Sequence, residues 1–112
     1  MGWGPAVPER NPKAGVTTVE VQVTGPVTRD EAARWRDAFA DGLARGPGLR
    51  IDLADSGPWD LAGVQLLLAA VASGRRLGRP VVLAGVPNVL RDAAERAGVL
   101  DRLAAVAEGS LR

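Results

Sequence analysis

The chain has no cysteine and no histidine. The first absence excludes a disulfide framework and a thiolate metal site. The second removes the commonest metal ligand and general base, and with them most hydrolases. Charge of one sign is missing too: 14 basic against 13 acidic residues leave a net charge of +1. Proteins that gain affinity by neutralising phosphates carry a basic footprint, so no nucleic-acid partner is expected. Arg75, Arg76 and Arg79 do cluster, but at a predicted helix C-terminus, where cations offset the macrodipole. The longest apolar run, Leu66 to Ala72, has seven residues, against about 20 for a bilayer span. A membrane-embedded chain is therefore not expected. The first residues, MGWGPAVPERNPK, show neither the basic start nor the apolar stretch of a secretion signal, which points to a cytoplasmic address. Neither usual phosphate cradle, G-x-x-x-x-G-K-[ST] or G-x-G-x-x-G, is present. With no nucleophile–base pair either, neither an enzyme nor a cofactor is expected.

What is there is the material of one soluble domain. At 112 residues, with 46% apolar and 24% charged, the chain is long enough for one hydrophobic core and too short for two. Residues 1–13, with Pro5, Pro8 and Pro12, are read as a loose tail, and 14–112 as the domain. From Val16, Val19, Val21 and Val23 alternate with Glu20, Gln22 and Thr24, as in a strand with one wet face. Thr28 and Glu31 have the spacing of a capping box opening a helix whose buried stripe is Ala32, Trp35, Phe39 and Leu43. Leu49, Ile51 and Leu53 mark a second strand, followed by a loop over 54–59. Val64, Leu67, Leu68 and Val71 follow helical spacing up to Gly78. PVVLAG reads as a buried strand, Pro87 opens a third helix that ends at Gly98, and Leu100, Leu103 and Val106 mark a short last one. Alternating strands and helices favour parallel pairing. The expected fold is a single α/β domain: a mostly parallel sheet of about four strands with helices packed mainly on one face.

Chemistry concentrates after the second strand. Asp52, Asp55 and Asp60 lie close in sequence, and three carboxylates can hold Mg²⁺. A phosphoryl-transfer site would also want a cation, yet the only lysine is Lys13, in the tail. These carboxylates are read as solvated loop residues, with no metal site.

The segment LRIDLADSGPWDLAGVQLLLAA resembles the STAS domains, the sulfate-transporter and anti-sigma-factor-antagonist family. Asp52-Leu53 match the family's strand, Trp59 its apolar position, and Asp60, Ala62 and Gly63 the D-S-S-G or D-T-A-G signature around Leu61. Gly25-Pro26-Val27, GRPVVLAG and AGVLDRL extend the likeness over residues 16–106. The resemblance implies a non-enzymatic, regulatory interaction module whose partner is a kinase-like anti-sigma factor or another regulatory ATPase. It also implies that Leu61 occupies the position where family members carry a phosphorylated serine or threonine. Leucine has no hydroxyl, so a phospho-switch is not expected here.

Physical readings of the same residues stand beside that one. Asp60 suits an N-cap, and Trp59 with Val64 a hydrophobic staple. Leu61 then falls at N1, where backbone N–H groups and the dipole would hold an anion. Leu61 either folds onto the core or offers apolar contact to a partner. Ser56, the one hydroxyl of the loop, is a turn former or a displaced phosphoacceptor. The candidate partner surface is Trp59, Asp60, Leu61, Ala62 and Gly63. The alternatives are a soluble STAS accessory subunit of a lipid-transport ABC system and a nucleotide sensor.

Overall fold

The computed structural model describes residues 18–108. Three strands, β1 (Val19–Val27), β2 (Leu49–Trp59) and β3 (Val81–Ala84), form one parallel sheet in the order β1-β2-β3. Helix α1 (Ala32–Arg45) connects β1 to β2 and α2 (Leu61–Leu77) connects β2 to β3. Helices α3 (Asn88–Arg96) and α4 (Leu100–Ala104) follow. After α4 the chain returns to the free edge of β3. Leu83 N–H donates to Val106 O at 2.8 Å and Glu108 N–H to Leu83 O at 2.7 Å, giving an isolated parallel bridge from Leu83 to Ala107. The expected count of about four strands thus resolves, among the described residues, into three strands and this bridge.

Alternation sorts the two sheet faces. Val23, Val27, Leu49, Ile51, Leu53 and Leu83 turn inward and join Phe39, Leu67, Leu90 and Leu103 in one apolar cluster beneath the helices. Full burial of each such side chain contributes about 1.5–3 kcal/mol relative to exposure. The other face is polar. There Glu20 and Arg50 are register partners, and Arg50 donates to Glu20 Oε2 at 3.0 Å and to both Glu108 oxygens at 2.9 and 3.0 Å. That network belongs to the uncovered face, as the one-sided helix arrangement requires.

Two local expectations change. Residues 54–59 are not a loop: β2 continues to Trp59 through a cis Gly57–Pro58 peptide, paired with β1 by Thr24↔Asp55, Gly25↔Ser56 and Val27↔Trp59. Helix α1 starts at Ala32, after a turn, with Glu31 and not Thr28 at the N-cap position. The Glu31 carboxylate does reach back to Thr28 N–H at 3.0 Å, but the Thr28 hydroxyl also donates to it, at 2.6 Å. The hydroxyl is thereby a donor to the glutamate rather than an acceptor for the helix. The tail 1–13 and the strand start at Val16 lie outside the described residues.

Candidate functional site

Parallel strands deliver their carboxyl ends to one end of the sheet, so the turn after β1 meets the mouth of α2. The meeting is close because residue 63 is glycine. A Cβ built there would stand 2.2 Å from Val27 O and 2.8 Å from Trp59 Cε3, distances that no side chain tolerates. Trp59 closes the end of β2 from within. Its indole N–H donates to Ser56 Oγ at 2.9 Å, and the Ser56 hydroxyl donates to Leu53 O at 2.7 Å. Ser56 is buried and both roles of its oxygen are in use, so phosphate on that atom would require the end of β2 to open. Trp59 and Val64, the expected staple pair, are both part of the buried cluster.

Asp60 caps α2 from an extended conformation, as the sequence suggests. Oδ1 accepts Gly63 N–H at 3.0 Å. Its second oxygen does something the sequence does not show: Oδ2 accepts Arg29 N–H at 3.0 Å, tying the β1–α1 turn to the helix mouth. The Gly63 bond foremost, helped by Arg29 and Ala62, holds the Asp60 carboxyl below its ordinary value of 3.8 despite partial burial. One helix-mouth donor, Gly63 N–H, is thus directed at the protein's own carboxylate.

Leu61 sits at N1 of α2 and is 57% exposed. Together with Thr28, Arg29, Asp30, Asp60 and Ala62 it lines an open depression of about 420 Å³. Ala62 is half-buried, whereas Gly63 and Trp59 lie beneath the surface and shape it. Of the five expected surface residues, Asp60, Leu61 and Ala62 therefore reach the rim, and Trp59 and Gly63 support it. Thr28, Arg29 and Asp30 belong to the same rim. Their spacing from Asp60 is too long for any local pattern to signal.

Near the same strand end, Val89 at the start of α3 is 50% exposed, and a Cβ on Gly57 would come within 3.2 Å of it. The chemical inventory of the depression is two carboxylates, one guanidinium, one hydroxyl already bonded to Glu31, and apolar surface. That hydroxyl, Thr28 Oγ1, donates to the Glu31 carboxylate. Among the described residues no three His, Cys, Asp or Glu gather to hold a metal, and no helix is long and apolar enough to cross a membrane.

A family model described as "Mlab, STAS domain" matches residues 12–106. Among solved structures, the chain is similar to a sulfate transporter family protein from Wolinella succinogenes, with TM-score 0.66 and 19% identity, covering 80% of this chain and 74% of that one. It is similar to the anti-sigma factor antagonist SpoIIAA in its unphosphorylated form, with TM-score 0.63 and 14% identity over 83% of this chain and 81% of that one. The STAS domain of a SulP transporter from Vibrio cholerae gives TM-score 0.58 and 16% identity over 82% and 73%. At these identities the likeness to solved structures is one of fold. A comparison with curated proteins finds no match.

Proposed function

The chain belongs to the STAS domain family, and on that footing we propose that it is a non-enzymatic regulatory module that docks the mouth of α2 onto a protein partner. The carrying observation is Leu61, an exposed leucine fixed at N1 by the Asp60 cap. An apolar side chain exposed among polar rim groups offers surface that a partner can cover. The partner that suits the family is a kinase-like anti-sigma factor or another regulatory ATPase, met in the cytoplasm. Binding is set by abundance rather than by phosphorylation, because the phosphoacceptor-equivalent position is Leu61 and the neighbouring Ser56 is buried and bonded.

A second reading keeps the same docking surface and places it on the ATPase of a lipid-transport ABC system, as a STAS accessory subunit. The Mlab description of the matching family model favours it. A nucleotide-sensing role has less support. The rim carries Asp30 and Asp60 against Arg29 alone, and Asp60 already takes Gly63 N–H at the helix mouth. Quantitative affinity capture from the native host tests the proposal and separates its two forms. Recovery of a regulatory kinase supports the first and of a transporter ATPase the second, and capture of neither by wild type defeats both. ATP or GTP raising the melting temperature would transfer the site to the nucleotide reading.

A further inference from the structure

We propose that the groove between α1 and α2 is a second docking site, for an amphipathic helix flanked by acidic residues. This surface does not rest on the helix-mouth reading: its lining shares no residue with the depression around Leu61.

The groove encloses about 390 Å³ between the outer faces of two helices that each follow a strand of the parallel sheet and so run in the same direction. Its floor carries the edges of Phe39, Leu43, Leu66 and Ala70, all buried, while the exposed Ala40 and Ala69 keep its walls low with single methyl groups. At one end stands Leu77, 57% exposed. Residues 66 to 77 of α2 line this groove, and at about 1.5 Å per residue they span ~17 Å, three turns of a guest helix. That length suits anchors at i, i+3 or i+4, and i+7.

Charge selects the occupant. No carboxylate lines the groove, and its two ionic groups are both cations, Arg36 and Arg76. Among the described residues Arg76 has no ion pair and donates only to Ser73 Oγ, at 3.1 Å. Arg36 reaches Asp37 only at 3.8 Å, with both side chains largely exposed, a pair of little energetic weight. Arg36 lies in the first half of α1 and Arg76 in the last turn of α2. The cations therefore stand on opposite walls towards opposite ends. Acids on both flanks of one helix can meet them together, whereas a single lipid head group meets one. A second copy docking by the same groove would bring no carboxylate from that lining to these arginines.

The test titrates the full chain into a labelled designed helix with leucines on one face and glutamates on both flanks, reading anisotropy. A second peptide has the same leucines and lysines in place of the glutamates. The glutamate peptide is expected to bind saturably, about tenfold or more tighter than the lysine peptide, and to weaken with salt. Ala69→Glu, which puts a carboxylate on the exposed wall of the groove, is expected to cost about tenfold in affinity. Arg36→Glu combined with Arg76→Glu, both at exposed positions, is expected to reverse the preference and keeps the test valid if Ala69→Glu lowers the melt. Leu61→Asp is expected to leave peptide binding unchanged. No saturable binding, equal affinity for both peptides, or indifference to these variants overturns the proposal. So does binding of phosphatidylglycerol vesicles, or self-association, that Ala69→Glu abolishes in the absence of peptide binding.

Discussion

Asp60 and Arg29, 31 positions apart in sequence, are joined by a 3.0 Å hydrogen bond in which the Arg29 N–H donates to Asp60 Oδ2. The same carboxylate caps α2 through Gly63 N–H. One side chain thus fixes both walls of the helix mouth. Asp60→Ala removes both bonds and is expected to destabilise the fold by about 1–2 kcal/mol, the upper part of the range for N-cap losses. A thermal melt checks this, since about 1 kcal/mol corresponds to a shift of ~4–8 °C in a domain of this size. A melt unchanged from wild type would show that the cap and the tether are dispensable.

Acid should unfold the protein through the same groups. Asp60 is held below its ordinary pKa by the Gly63 N–H, Glu31 by the Thr28 hydroxyl and N–H, and Glu108 by Arg50. A carboxyl with a depressed folded pKa adds stability above its unfolded pKa, and that stability is lost as pH falls through the folded value. The unfolded values are 3.8 for Asp and 4.5 for Glu. The denaturant midpoint should therefore be flat from neutral pH down to about 5 and fall below ~4. Asp60→Asn, which keeps one capping oxygen, should show a shallower acid limb. Equal limbs would show that Asp60 does not contribute to the acid transition.

Gly63→Ala places a methyl group against the Val27 carbonyl and the Trp59 ring. Both belong to the sheet end and cannot swing aside, so a loss of about 1–3 kcal/mol or more is expected. Ala62→Gly, one position earlier, should cost only the helix propensity, about 1 kcal/mol. Paired urea titrations measure the difference, and equal losses would contradict the close approach.

Ser56→Ala leaves the Trp59 indole N–H buried without an acceptor. The expected cost is about 1–3 kcal/mol. Mass spectrometry after incubation with a serine kinase should find no phosphate on Ser56 in the folded protein, nor anywhere over 59–63.

The helix mouth was legible in the sequence where its bonds are local. Asp60 as N-cap, Leu61 at N1 and Trp59 with Val64 as buried flanks all follow from spacing within a few residues. What depends on pairing across the fold was not legible. Residues 54–59 read as a loop, yet β2 runs through them because Thr24, Gly25 and Val27 supply its ladder partners. Thr28 read as a cap, but its hydroxyl turns to Glu31 and its neighbour Arg29 turns to Asp60. Local spacing shows the Asp60 cap on Gly63 N–H but not that the second oxygen of that carboxylate is shared with a turn 31 positions away.

In the proposed docking, Leu61 is a partner contact rather than a core residue, and Leu61→Asp separates the two. Affinity capture from the native host with wild type and Leu61→Asp side by side, quantified by mass spectrometry, is the measurement, with a thermal melt of both proteins as its control. A carboxylate at N1 interacts favourably with the helix dipole by about 0.3–1 kcal/mol, so the melt should hold or rise slightly. The same charge, unpaired in an apolar contact, should weaken the partner's recovery by about tenfold or more. Equal recovery of every partner by the two proteins, or a melt that drops by many degrees, would contradict the claim.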